Sequence, residues 1–170
     1  CEISSVFRQV TRSESVLRHL PTPELQLVRS LFFDKTPTAN WPVAWHQDRL
    51  IAVKDPAEVQ GYGPWNTKGG IPHVQPPREV LEAMATVRIH LDATPPENGA
   101  LRVVPGSHRD GFLSPDQVAR FTEYAPDVLS CEAGDLLVMR PLLLHSSHRS
   151  ENPSHRRILH FEFADRSLLD

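Results

Sequence analysis

The apolar residues of the chain form many short runs, separated by polar residues, Pro and Gly. Runs rich in Leu, Val, Ile and Phe predict β-strands, and they cover residues 24–34, 43–53, 85–92, 101–104, 128–131, 135–139, 142–145 and 156–163. Helical patterns are shorter and fewer, at residues 13–20, 77–85 and 114–124. This pattern predicts a mainly β protein, a β-sandwich or jelly-roll barrel with a few short flanking helices.

The segment of residues 54–80 departs from this pattern because it is dense in Pro and Gly. It also holds Trp65, Lys68 and His73. A loop of this length inside a compact domain is usually functional or disordered. We expect it to act as a lid over the barrel or as a substrate loop; the alternative is a rigid surface loop without such a role.

Several turn and strand residues have simple structural interpretations. Asn98-Gly99 predicts a hairpin between the strands at 85–92 and 101–104, because Asn and Gly tolerate positive φ. His108, in a Pro-Gly-Ser-His turn, is expected to be structural. Three further histidines are most simply surface or strand residues: His148, His155 and His160.

Composition narrows the class of protein. With 170 residues, 39% of them hydrophobic and 23% charged, the chain suits a single soluble domain, which we place at residues 1–170. A net charge of −3 favours neither nucleic acid nor an acidic membrane as partner, and no apolar run approaches the roughly 18 residues of a membrane span. Two cysteines, Cys1 and Cys131, are too few for a disulfide framework, so we expect a cytoplasmic setting.

Three residues form a candidate metal site. Side chains alternate across a strand, so His46 and Asp48 share one face of the strand at 43–53, and Gln47 points away. The apolar run at 142–144 leads into His145, a third ligand candidate. Two histidines and one carboxylate make the facial triad of non-haem Fe(II) enzymes, which leaves positions open for a cosubstrate and oxygen. A lone His-x-Asp pair is a weak signal, and the residues around it decide its meaning.

An arginine lies where a dicarboxylate bound to such a metal would need an anchor. Arg156 follows His145 by eleven residues and begins a strand-like run. Its guanidinium can bind a carboxylate through two parallel hydrogen bonds. Ser147, two residues past His145, could donate a hydrogen bond from its hydroxyl group to the same carboxylate.

With these residues in place, the sequence resembles the phytanoyl-CoA dioxygenase family of Fe(II)- and 2-oxoglutarate-dependent oxygenases. The resemblance spans residues 24–165, the expected barrel core, and rests on WHQD at 45–48, HLDATPPENGALRVVPGSH at 90–108, GDLLVMRPLLLHSS at 134–147 and RRILHFEF at 156–163. It implies a double-stranded β-helix with His46, Asp48 and His145 as iron ligands. It also implies that Arg156 binds the distal carboxylate of 2-oxoglutarate, assisted by Ser147.

The sequence departs from the family on the strand at 85–92, where members often carry an aromatic residue and this chain has Arg88. Thr86, Arg88 and His90 share one face of that strand. If this face points inward, we hypothesise that Arg88 contacts the cosubstrate or an anionic substrate. If it points outward, the same residues are simply solvated.

The resemblance implies a dioxygenase that uses Fe(II), 2-oxoglutarate and O₂ to hydroxylate an unactivated C–H bond of a small molecule, with formation of succinate and CO₂. A halogenase on the same fold would leave the carboxylate position of the metal site vacant, but Asp48 is present. A non-catalytic metal-binding jelly roll, or a zinc hydrolase on the same ligands, would leave Arg156 unexplained. The residues predict neither the identity of the substrate nor the oligomeric state.

Overall fold

A computed structural model describes residues 5–124, 126–151, 155–165 and 167 of the chain. Within them the helices are α1 Ser5–Thr11, α2 Glu14–Leu17, α3 Arg78–Ala83 and α4 Pro115–Thr122. The strands are β1 Leu25–Lys35, β2 Val43–His46, β3 Ile51–Ala52, β4 Trp65–Lys68, β5 Ile71–Val74, β6 Ala85–His90, β7 Leu101–Val103, β8 Asp127–Leu129, β9 Leu136–Met139, β10 His145–Ser147 and β11 Arg156–Asp165.

Two four-stranded antiparallel sheets make the barrel, in the orders β1-β11-β6-β9 and β2-β10-β7-β8. Side chains from both sheets line one cavity, so the sheets face each other. The mainly β, jelly-roll prediction is therefore confirmed. No helix in the described ranges is both long and apolar enough to cross a bilayer, and the cytoplasmic setting stays a prediction.

The β1-β11-β6-β9 sheet has an apolar outer face and a polar inner face. Val87 and Phe161 pack outward with residues of α1 and α2, and Phe7 meets Phe161 edge-on at 5.8 Å between ring centroids. Because side chains alternate, the residues between them point into the barrel, and these include Arg88 and His160. The outer face stabilises the fold by burying apolar surface. The polar side chains of the inner face, such as Arg88 and His160, line the cavity.

The segment 54–80 contains regular structure, which the Pro- and Gly-rich sequence concealed. Its strands β4 and β5 form a hairpin that pairs with β3, and α3 follows. Val74 at the end of the hairpin packs with Leu81 of α3 in a separate apolar cluster. The part of the metal-site cavity that the structure describes is lined by no residue of this segment. Its role as a lid stays a prediction.

Two strand predictions were wrong in extent. The predicted strand at 43–53 is interrupted between β2 and β3, because buried Gln47 donates to the carbonyl oxygens of Gly111 and Leu142 at 2.7 Å and draws the chain out of the sheet. The predicted strand at 142–145 starts only at His145, since the residues before it form a turn.

The hairpin predicted at Asn98-Gly99 was also wrong. The strands on either side, β6 and β7, belong to different sheets, so this turn carries the chain across the barrel. Gly99 ends a short 3₁₀ turn at φ +66°, and a Cβ there would lie 2.7 Å from the backbone oxygen of His148. Gly is needed for the close approach as well as for the dihedral angle.

Candidate metal centre

Neighbouring strands of the β2-β10-β7-β8 sheet deliver the two histidines. His46 ends β2, His145 begins β10, and the two residues pair directly across the antiparallel ladder. Asp48 lies just beyond the end of β2, where its backbone N–H donates to the carbonyl oxygen of Pro141 at 2.9 Å. One ligand atom from each of the three residues lies within 4.8 Å of the others. The structure thus brings together the three residues that the sequence predicted as metal ligands, and their role as ligands stays a prediction.

Backbone hydrogen bonds orient both imidazole rings. His46 Nδ1 lies 2.9 Å from the carbonyl oxygen of Ala44, and His145 Nδ1 lies 2.8 Å from that of Leu143. A carbonyl oxygen only accepts, so each Nδ1 carries the proton and each Nε2 keeps its lone pair. Both Nε2 atoms point toward Asp48, at 3.5 Å for His46 and 3.8 Å for His145. This tautomer is the one that a metal-binding histidine requires.

The charge state of the three residues also suits a cation. Burial is the main cause that lowers the pKa of His145 to about 4, so this ligand is neutral at pH 7. Burial opposes ionisation of Asp48, but the hydrogen bond with His46 and the charges of His145 and His160 hold the pKa of Asp48 well below its usual range. Burial lowers the pKa of His46, but Asp48 outweighs it and raises that pKa. The site therefore presents an ionised carboxylate and a neutral His145, and a bound metal would favour the neutral form of His46.

The donor set fits a non-haem iron ion. Two imidazole nitrogens and one carboxylate oxygen match the facial triad and are too few, and too rich in nitrogen, for Ca²⁺ or Mg²⁺. Zinc also accepts this donor set, so residues beyond the triad must decide the chemistry. No second group of three potential ligands at this spacing occurs in the described ranges.

A cavity of about 220 Å³ opens beside the triad. Its lining combines residues of both sheets and of the segment before β2: Phe33, Trp41, Val43, His46, Asp48, Arg88, Leu101, His145, Ser147, Arg156 and His160. The volume is below the roughly 300 Å³ at which ligand pockets generally begin. The cavity therefore suits small ligands.

Arg156 and Ser147, the residues predicted to bind the cosubstrate carboxylate, both line this cavity, and their role stays a prediction. Arg156 is 5% exposed, and it donates to the carbonyl oxygen of Gly99. Burial and the charge of Arg88 lower the pKa of Arg156 to about 10. The neighbouring Arg157 is exposed and binds Asp92 on the outside of the barrel, at 2.7 and 2.9 Å. Arg156 is thus the one that faces the metal site.

Lys35 is a residue of this site that the sequence analysis missed. It ends β1 directly opposite Arg156, is 1% exposed, and donates to Ser147 Oγ at 3.3 Å and to the carbonyl oxygen of His148 at 3.0 Å. Burial, then the charges of Arg156 and Arg88, lower the pKa of Lys35 to about 8. The feature that marks Lys35 is its pairing with Arg156 on the neighbouring strand. The sequence does not reveal this pairing until the order of the strands is known.

The remaining predicted residues divide between the interior and the surface. Arg88 is buried and lines the cavity, so the strand face that carries it points inward. His160 lies on β11 and lines the cavity, so of its two interpretations, surface or strand residue, the structure supports the second. His148 and His155 are exposed, in agreement with their assignment to the surface. His90 is buried behind Arg88, with Nδ1 2.8 Å from Thr94 Oγ1.

Comparison with known proteins identifies the family of this chain. The family model for phytanoyl-CoA dioxygenase matches residues 2–158, which is most of the chain. The chain belongs to the phytanoyl-CoA dioxygenase family. The resemblance found in the sequence motifs is thereby confirmed. A search of curated protein sequences gave no match.

Solved structures similar to this phytanoyl-CoA dioxygenase family member share its fold at low identity. AviO1 from Streptomyces viridochromogenes is 23% identical, with a TM-score of 0.63, over 96% of this chain and 62% of its own. SnoK, a non-haem α-ketoglutarate-dependent carbocyclase from nogalamycin biosynthesis, is 20% identical, with a TM-score of 0.57, over 83% of this chain and 50% of its own. HygX from Streptomyces hygroscopicus, solved with iron bound, is 15% identical, with a TM-score of 0.64, over 96% of this chain and 68% of its own. The chain spans less than two thirds of AviO1 and SnoK.

Proposed function

We propose that this family member is an Fe(II)- and 2-oxoglutarate-dependent dioxygenase that hydroxylates an unactivated C–H bond of a small molecule. The proposal rests on one observation: an intact His-His-Asp triad and buried cationic side chains line the same cavity. The triad suits iron, and the cations suit a dicarboxylate that chelates it. Two proteins of similar fold support the assignment, because SnoK is α-ketoglutarate-dependent and HygX has been solved with iron bound.

His46, Asp48 and His145 would hold the metal through Nε2, a carboxylate oxygen and Nε2. Their orientation is fixed before the metal arrives, because the backbone oxygens of Ala44 and Leu143 hold the two rings. When bound, iron, 2-oxoglutarate and O₂ supply the oxidising chemistry, with 2-oxoglutarate converted to succinate and CO₂. No side chain of this chain is required as a general base.

Arg156, Lys35 and Ser147 would hold the distal carboxylate of 2-oxoglutarate. Arg156 and Lys35 pair across β1 and β11, and Lys35 already donates to Ser147 Oγ. A carboxylate would neutralise two buried cations that repel each other, and a charge-assisted hydrogen bond contributes more than a neutral one. Ser147 would keep its hydroxyl proton free to donate to the same carboxylate, since its oxygen accepts from Lys35.

Apolar residues line the rest of the cavity. Phe33, Val43 and Leu101 cover its wall, and Trp41 lies over Lys35 with the Nζ atom 5.7 Å from the ring centroid. Such side chains exclude water from the reacting groups. Trp41 is half exposed and is the residue best placed for contact with an entering substrate.

The competing functions account for fewer of these residues. Halogenation would need a metal site without its carboxylate ligand, and Asp48 is ionised and in place. A zinc hydrolase, or a protein whose metal is structural, would use the triad but give no role to the buried pair Lys35 and Arg156. These functions become the leading ones if 2-oxoglutarate does not bind.

The test is the visible charge-transfer band of 2-oxoglutarate chelated to Fe(II), recorded without oxygen. We expect the band in the wild-type protein, its loss in Asp48→Ala, and at least about tenfold weaker 2-oxoglutarate binding in Arg156→Gln. Arg157→Gln is the matched control, because this neighbour binds Asp92 outside the barrel. A folded, iron-loaded protein without the band would contradict the proposed function.

A further inference from the structure

Arg88 is a buried cation that makes no salt bridge or hydrogen bond within the part of the chain that the structure describes, although the nearby charge of Asp48 favours it. It is 7% exposed, and its Nε atom is buried without a hydrogen-bond partner. None of its N–H groups donates to any residue in the described ranges. A buried charge without a hydrogen-bond partner destabilises a folded protein. An arginine kept at such a position therefore indicates that an anion joins it in the working protein.

The carboxylates of the barrel interior are already engaged. Asp48 is the only acidic residue among those that line the cavity, and it belongs to the metal triad. Glu162, further along β11, accepts from Arg29 at 3.0 Å and lies 3.6 Å from His160 Nε2. Neither carboxylate forms a salt bridge with Arg88; the charge of Asp48 favours the arginine, but Asp48 also belongs to the candidate metal site.

The cosubstrate would not satisfy Arg88 either. Under the proposed function, one carboxylate of 2-oxoglutarate chelates the metal and the other lies between Arg156 and Lys35. Arg88 pairs with His160 on β11, four residues from Arg156, so the two arginines anchor at levels about 13 Å apart along the sheet. Because Arg156 and Lys35 already supply two cations for the distal carboxylate, Arg88 is available for a second anion.

We propose that Arg88 binds a carboxylate of the substrate, so that the substrate is a small carboxylic acid. This inference rests on the proposed function and adds the substrate class to it. The planar guanidinium can take the carboxylate through two hydrogen bonds, which fixes the direction in which the rest of the molecule points. His160 lies beside Arg88 on the same wall, with Nδ1 buried and unpartnered, so it offers a further polar contact to the acid.

The experiment compares a small acid with its neutral amide. Propionate and propionamide are titrated into the full chain loaded with Fe(II) and 2-oxoglutarate under anaerobic conditions. Their binding is followed by the shift of the charge-transfer band and by the NMR line width of the ¹³C-labelled probes. We expect propionate to bind at least about tenfold more tightly than propionamide, as the loss of a charge-assisted hydrogen bond predicts.

Four variants test whether Arg88 causes that preference. Arg88→Gln should abolish it and leave 2-oxoglutarate affinity within about twofold, and Arg88→Lys should restore part of it. Arg109→Gln, which removes an exposed arginine from a surface turn, should change neither value. Arg88→Met should keep or raise the thermal stability of the metal-free protein, because it removes an uncompensated buried charge; a purely structural arginine would give a loss.

Two results would overturn the inference. Equal affinity for propionate and propionamide in the wild type would show that no carboxylate subsite exists. A tenfold loss of 2-oxoglutarate affinity in Arg88→Gln, with the preference for propionate intact, would assign Arg88 to the cosubstrate. A missing charge-transfer band would instead contradict the proposed function, and the NMR line widths of the probes in wild type and Arg88→Gln would still report on the subsite.

Discussion

Lys35 and Arg156 stand directly opposite each other on β1 and β11, two buried cations that no carboxylate separates in the part of the chain that the structure describes. Each bonds to neutral oxygens only, Lys35 to Ser147 and His148 and Arg156 to Gly99. Like charges at this spacing destabilise the fold unless an anion joins them. The stability of the fold should therefore depend on pH and on whether an anionic ligand is bound beside the pair.

Replacement of Lys35 by Met should weaken 2-oxoglutarate binding by about tenfold or more, because one charge-assisted hydrogen bond is lost while the buried volume is kept. Lys54→Met, at an exposed lysine outside the barrel, is the matched control. Titration of the charge-transfer band gives both affinities. Unchanged affinity in Lys35→Met would leave Arg156 as the sole anchor.

The stability of the metal-free protein should rise with pH because of Lys35. Its pKa is lowered from the ordinary 10.5 to about 8 by burial and by Arg156 and Arg88. Between these two values the unfolded chain holds the proton and the folded chain does not, so the free energy of unfolding increases with pH across that window. Urea unfolding at several pH values should show this rise in the wild type and not in Lys35→Met. An identical pH profile in the two proteins would contradict the assignment.

Gln47 connects the loop between two proposed metal ligands, His46 and Asp48, to the rest of the barrel. Its amide nitrogen donates to the carbonyl oxygens of Gly111 and Leu142, and its oxygen accepts from the backbone N–H of Leu113 at 2.9 Å. Gln47→Ala should lower the free energy of unfolding by about 3 kcal/mol, because it leaves these buried groups unpaired. It should also weaken iron binding, since Asp48 follows directly.

The measurements for Gln47→Ala are urea unfolding of the metal-free protein and iron affinity by titration. Gln60→Ala, at an exposed turn, serves as the control and should change neither. Normal iron affinity in a destabilised Gln47→Ala protein would mean that Asp48 is held by its own backbone hydrogen bond to Pro141 alone.

Local sequence patterns predicted the features that depend only on residues close together in the sequence. Apolar runs predicted β1 and β11 almost to the residue, and Ser114 forms with Gln117 the capping box that starts α4. His46 and Asp48 could be paired because two ligands on one short stretch need no knowledge of the sheet order. Lys35 could not, since a lysine at a strand end looks solvated until its partner strand is known. The hairpin prediction at Asn98-Gly99 failed for the same reason. The dihedral preference of these two residues is local, but the sheet that the next strand joins depends on distant parts of the chain.

Gly99 lies in the turn that carries the chain from one sheet to the other, and there it contacts Arg156, the proposed anchor of the cosubstrate. Its φ is +66°, and its carbonyl oxygen accepts a hydrogen bond from Arg156. A Cβ at this position would lie 2.7 Å from the backbone oxygen of His148 and 3.3 Å from Nη1 of Arg156. Because the nearest atom belongs to the backbone, it cannot rotate away. We therefore expect Gly99→Ala to destabilise the fold and to displace the Arg156 guanidinium.

Gly134 provides a matched control, because it also has positive φ, at +96°, but a Cβ there would meet nothing within 4 Å. Gly134→Ala should lose only about 1 kcal/mol from the strained dihedral angle. Gly99→Ala should lose about 2 kcal/mol more through overpacking, and should weaken 2-oxoglutarate binding severalfold, as the charge-transfer band would report. If Gly99→Ala lost stability but kept the wild-type affinity, Arg156 would hold its position without the turn, and the anchor would depend on its pairing with Lys35 across β1 and β11.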